Sequence, residues 1–191
     1  MHDLSQVAGL ARVTPLIAHP VLRRLHDYWS ALPRGRSGAP LRAAFDPAAI
    51  GFCLPHVGLA EIETPFRVRY RLVGSALERL YGGPLTGCYV DELYTPALRA
   101  EVLAAYRRVT DGATSDYALP NLWLRVFGFG YHRLMLPLSR SGESVDLVVV
   151  AIYPADRGLR AAWQWRPSAL LRGWLGRESS PPREWTDPTA R

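Results

Sequence analysis

Arg67-Val68-Arg69-Tyr70-Arg71-Leu72-Val73 is the stretch on which the fold turns. Arginine alternates with apolar residues at period two, the repeat of a strand with one buried and one solvated face. A strand of that kind belongs to an antiparallel sheet covered on one side. Gly74-Ser75 ends it, and Leu77, Leu80 and Tyr81 then mark a short helix stopped by Gly82-Gly83-Pro84. Thr64-Pro65 on the other flank reads as a turn, which makes Leu54 to Glu63 the preceding strand.

Helical patterns lie on both sides of this unit. Pro20 opens a first helix, with Val21, Leu22, Leu25, Tyr28, Trp29 and Leu32 at spacings of three and four, and Pro33 closes it. Asp46-Pro47 fits the start of a short helical turn with Asp46 as its cap. The clearest internal helix covers residues 96–109, with an apolar stripe of Leu98, Val102, Ala105, Tyr106 and Val109 that ends at Asp111-Gly112. Strands are expected near 115–126, 131–139 and 144–153, joined by the hairpin-like runs Phe127-Gly128-Phe129-Gly130 and Ser139-Arg140-Ser141-Gly142. Two strands before a helical insert and three after it give a five-stranded antiparallel sheet. Helices pack on one face, an N-terminal helix flanks the unit, and the class is α+β.

Residues 1–18 form an N-terminal segment, 19–153 the domain, and 154–191 an extension rich in Trp and Arg. Trp163, Trp165, Leu170, Leu171, Trp174 and Leu175 suggest a short amphipathic helix that covers a sheet edge or meets a membrane surface. The end beyond Ser179-Ser180-Pro181-Pro182 reads as disordered.

Hydrophobic residues make up 48% of the 191, enough for a packed core. The net charge is +6, and all 23 basic residues are arginine, as in a bacterial genome of high GC content. The arginines are scattered, which favours a solvated basic surface over a polyanion-binding patch. Cys53 and Cys88 lack metal or disulfide spacing and suit a reducing compartment. The longest apolar run, Leu147 to Tyr153, is far short of the ~20 residues of a spanning helix. With no secretory signal pattern near the N-terminus, the expectation is a cytoplasmic protein.

At this point the residues themselves resemble a known family. Tyr70-Arg71-Leu72-Val73-Gly74-Ser75-Ala76-Leu77, then Leu80-Tyr81-Gly82, Leu85-Thr86-Gly87 and Asp91-Glu92-Leu93, is similar to the YRLVGT…LTG…DEL signature of a PAS-like family common in alphaproteobacteria. Phe45-Asp46-Pro47-Ala48-Ala49-Ile50, Leu54-Pro55-His56 and Tyr131-His132-Arg133-Leu134-Met135-Leu136-Pro137-Leu138 extend the likeness. It departs from the pattern at His132, Leu41, Ala44 and the Arg140-Ser141 loop. The resemblance implies a PAS fold and a role in sensing small ligands, in dimerisation, or in passing a signal to an effector.

PAS pockets lie between the sheet and its helices, so the candidate lining is Val68, Tyr70, Leu72, Leu77, Leu80, Tyr81, Val102, Tyr106, Trp123, Leu134 and Leu136. A closed pocket for a small hydrophobic ligand is expected between 68–81 and 98–109. Against this stands the simpler reading that these side chains are core. Leu22, Leu25, Tyr28 and Trp29 are the candidate contacts of a homodimer or protein partner, unless the helix packs onto its own sheet. The five histidines show no metal spacing, so no metal site is expected. Haem is disfavoured because 96–110 holds no His, and flavin because neither cysteine sits in the photoreceptor motif. Asp91 and Glu92 read as capping residues, and no nucleophile–base arrangement is visible, so the chain is not expected to be an enzyme. The function expected is a PAS-like sensory or regulatory domain of bacterial signalling. The alternative is an Arg-rich adaptor for nucleic acid or anionic membrane with the fold as scaffold.

Overall fold

The computed structural model describes residues 16–94, 96–118 and 131–155. Their elements follow the order α1 (Pro20–Ser30), β1 (Val57–Glu63), β2 (Arg67–Val73), α2 (Ser75–Tyr81), α3 (Val90–Leu93), α4 (Pro96–Gly112), β3 (Asp116–Ala118), β4 (Tyr131–Leu138) and β5 (Leu147–Pro154). Short 3-10 turns at Arg42–Ala44, Pro47–Ile50 and Leu54–His56 fill the stretch between α1 and β1. The sheet is five-stranded and antiparallel in the order β2-β1-β5-β4-β3, so the last strand lies at its centre. The fold is the expected α+β arrangement. Leu54 to His56, read as the start of the first strand, is a 3-10 turn because Pro55 cannot donate to a ladder. The second half of the 115–126 strand, the 127–130 connection and the Trp-rich piece lie outside the described residues.

Both faces of the sheet are covered at β4 and β5. Alternation along β4 and β5 divides the core into two layers. Leu134, Leu136, Leu138, Leu147, Val149, Ala151 and Tyr153 face Leu22, Leu25 and Trp29 of α1, together with Phe45, Ile50 and Cys53. Met135, Val148 and Val150 face the other way and meet Tyr81, Leu85, Val90, Leu93, Ala105, Tyr106 and Val109, with Ala60, Val68 and Tyr70 beside them. A strand buried on both sides has no polar phase, which is why Leu134 to Leu138 reads as a continuous apolar run.

α1 is placed by its stripe and by its exit loop. Leu22, Leu25 and Trp29 are buried, and the Trp29 indole N–H donates to the carbonyl of Pro137 at 2.9 Å. Pro137 lies beyond Met135, where β3 stops pairing with β4, so its missing N–H leaves no gap in a ladder. After α1 the chain runs under the β4–β5 hairpin: Ser37 N–H donates to Gly142 O at 2.8 Å and Arg42 N–H to Ser139 O at 2.7 Å. Gly35 is required there, because a Cβ would lie 2.5 Å from the Cα of Gly142. The expected cap at Asp46 is present, its carboxylate accepting from Ala48 N–H at 2.8 Å.

Candidate functional site

β2 carries the residues expected to line a site, and a bulge divides them. Ala60 pairs with Tyr70 and Leu59 with Leu72, so Arg71 is an extra residue that shifts the side-chain phase. Val68 and Tyr70 point to the helical layer, but beyond the bulge Val73 takes that direction. Leu72 is turned to the opposite face, 63% exposed, beside Leu54, Leu59 and Val149 in a groove of about 260 Å³. Its assignment to the site is corrected accordingly.

Leu134 and Leu136 are corrected as well. They lie in the layer under α1, and Arg133 and Met135 are the β4 residues that face the helices. Leu80 is half-buried on the outer flank of α2, where it lines a different cleft with Ala76 and Arg79. Leu77 is buried near Tyr70, as the space beside Gly58 shows. Val102 packs against the helical layer. Trp123 lies outside the described residues. Of the candidate dimer contacts, Leu22, Leu25 and Trp29 are consumed by α1's packing on its own sheet, whose apolar outer face needs that cover. Tyr28 is half-buried, its hydroxyl accepting from Asp46 N–H at 2.7 Å.

What the structure brings together at the helical face is a polar centre. The rings of Tyr70, Tyr81 and Tyr106 are buried in the space between 68–81 and α4. Tyr106 donates to the Tyr70 hydroxyl at 3.4 Å, and the Tyr94 hydroxyl acts on Tyr70 from nearby. Burial, reinforced by Tyr106, pushes the Tyr70 hydroxyl well above its ordinary value. Burial likewise raises Tyr94 and Tyr106, and Arg133 opposes the rise in all three. These hydroxyls stay protonated and can donate or accept.

Arg133 supplies the charge. Its side chain is 13% exposed, and its Nε is buried with no hydrogen-bond partner among the described residues. Among the described residues its closest carboxylate is Asp116 at 3.8 Å, which holds Arg108 more closely at 2.9 Å. One carboxylate thus serves two guanidiniums, leaving a net positive charge beside three phenols. The 3.4 Å hydroxyl separation is long for O–H···O, so this centre is under-satisfied. The parity of Arg133 could have been read only from a strand with one polar face, and β4 has none over most of its length.

The opposite surface of β1 and β2 is a charge ladder. Arg67 meets Asp91 and Glu92, Arg69 meets Glu63, and Arg71 and Arg140 meet Glu61. Asp91 and Glu92 therefore converge on one arginine, where the sequence suggested helix caps. No side chain caps α3. Among the described residues no group of three or more His, Cys, Asp or Glu could hold a metal ion, and no helix is long and apolar enough to cross a membrane.

Residues 17–123 match a family model described as a PAS domain. No curated protein matches the chain.

Proposed function

The chain belongs to the PAS domain family, and from that premise we propose that it is a sensory module of bacterial signalling that reads a small molecule at the helical face of its sheet. One observation carries this reading: the polar centre of Tyr70, Tyr94, Tyr106 and Arg133 is buried yet, among the described residues, incompletely hydrogen-bonded. A ligand with an apolar body and an oxygen-bearing head would give Arg133 Nε its missing acceptor and bridge the phenols, while its body meets Val68 and Met135. Arg133 sits on β4 between residues that pack under α1, so a shift of Arg133 has a direct route to the N-terminal helix. The paired arginines of β2 count against a polyanion site on that face, since each already meets a carboxylate.

Native mass spectrometry of freshly purified protein, followed by denaturation and identification of any released small molecule, tests the proposal. Wild type should carry a bound molecule, and Arg133→Met should lose it while keeping its fold, because Asp116 retains Arg108. If neither protein carries or acquires a small molecule, or if Arg133→Met binds as wild type does, the ligand reading fails and protein contact becomes the leading role.

A further inference from the structure

A cleft of about 480 Å³ opens at the corner where the first turn of α1, the Leu54–His56 turn, the outer flank of α2 and the end of β5 meet. It lies away from the polar centre, shares none of its residues, and is not touched by the function proposed above. Its volume falls in the range of small-molecule sites, ~300–1,000 Å³. Tyr153 is in ring contact with His56 (centroids 4.1 Å apart, planes at 21°) and with His19 (4.5 Å, 32°). The His56 ring is fixed by Nδ1, which lies 3.1 Å from the carbonyl of Ile152. Phe52 is a second aromatic in the lining, and the Arg24 guanidinium sits 3.9 Å over its ring. The rings are therefore held in place before any ligand arrives.

The charge of the cleft is one-sided. Arg79 lines it, is exposed, and has no ion pair or hydrogen bond among the described residues. This contrasts with the arginines of β2, each of which meets a carboxylate. Among the described residues, no Asp or Glu lines the cleft. An unpaired guanidinium beside fixed aromatic rings suits a flat ring bearing a carboxylate: the ring lies on an aromatic face, and the carboxylate takes the planar fork of the arginine. We propose that this cleft is a second binding site, selective for small aromatic carboxylates. Binding there would tie α1 to α2 across the end of β5 and so stabilise the seat of the N-terminal helix.

Calorimetric titration with benzoate, 4-hydroxybenzoate and indole-3-acetate, with benzamide as the neutral control, tests this in four proteins: wild type, Arg79→Gln, Phe52→Ala and Arg133→Met. At least one carboxylate should bind wild type at millimolar or lower concentration. Arg79→Gln, a surface change that leaves packing intact, should weaken it by about tenfold or more. Benzamide should bind no better to wild type than to Arg79→Gln, and Phe52→Ala should weaken carboxylate and amide alike. Arg133→Met should leave the titration unchanged, which separates this site from the polar centre. The proposal is overturned if no aromatic carboxylate binds, if Arg79→Gln binds as wild type does, or if Arg133→Met abolishes binding.

Discussion

Replacing Gly74 by alanine isolates one steric contact from every other effect. Gly74 joins β2 to α2 with φ −70° and ψ 146°, a conformation any residue adopts. A Cβ there would lie 2.3 Å from the carbonyl oxygen of Leu54, and 2.5 and 2.6 Å from the oxygen and carbon of Pro55. All three are backbone atoms, so no side chain can swing aside. That backbone is anchored by His56 N–H to Cys53 O at 2.8 Å and by His56 Nδ1 against Ile152 O at 3.1 Å. Gly74 also donates to Val57 O at 2.8 Å, so retreat in the opposite direction breaks a hydrogen bond. Overpacking costs ~1–3 kcal/mol, with a backbone clash this short at the upper end. The loss of unfolded-state entropy gives back ~0.4–1 kcal/mol. The net expectation is destabilisation by about 2 kcal/mol, a fall in Tm of roughly 4–8 °C. Gly83→Ala is the matched control: nothing lies within 4 Å of its Cβ, so it should be neutral or gain ~0.4–1 kcal/mol. Urea unfolding of both variants and wild type gives the numbers. A Gly74→Ala protein within about 0.5 kcal/mol of wild type would refute the packing assigned to this junction.

Trp29→Phe removes the indole N–H that reaches Pro137 O across the outer layer. The stranded carbonyl and the lost ring should cost about 2–3 kcal/mol in urea unfolding, and an unchanged midpoint would detach α1 from the sheet. Stability should also fall at both ends of the pH scale. Burial raises Tyr70, Tyr94 and Tyr106 above the ordinary 10.0, so above that pH the unfolded chain loses protons first and stability declines as pH rises. Burial lowers His26 from the ordinary 6.5, so below that value the unfolded chain gains a proton first and stability declines as pH falls. Urea midpoints measured across about pH 5 to about pH 11 check both limbs, and a flat profile on either side contradicts the corresponding burial.

The elements were readable where one physical signal dominated. Arginine alternating along β2 and the stripe of α1 each define a face, and Asp46-Pro47 defines a cap. What stayed hidden depended on partners. The bulge at Arg71 is a property of the β1–β2 pairing and leaves no mark in β2 itself, so strict alternation assigns Leu72 to the wrong face. Leu134 to Leu138 is apolar in both phases, so neither the inward direction of Met135 nor that of Arg133 could be taken from it. The stripe of α1 fits another copy of the helix as well as its own sheet, and only the apolar outer face of β4 and β5 decides between them. The cleft is illegible in the sequence because His19, Phe52, His56, Arg79 and Tyr153 come from well-separated stretches of the chain and share no spacing.

The strand order bears on how the protein is made. β1 and β2 are complete by Val73, yet the open edge of β1 is claimed by β5, which begins only at Leu147. At roughly 5–20 residues per second, a ribosome leaves that edge bare for on the order of 10 s. An unpaired edge recruits strands from other chains unless charge discourages them. Glu61 and Glu63 on β1, with Arg67, Arg69 and Arg71 beside them, keep the nascent hairpin studded with charge through that interval. The charges of β1 and β2 seen on the finished surface are therefore the same ones that border the bare edge until the central strand is made.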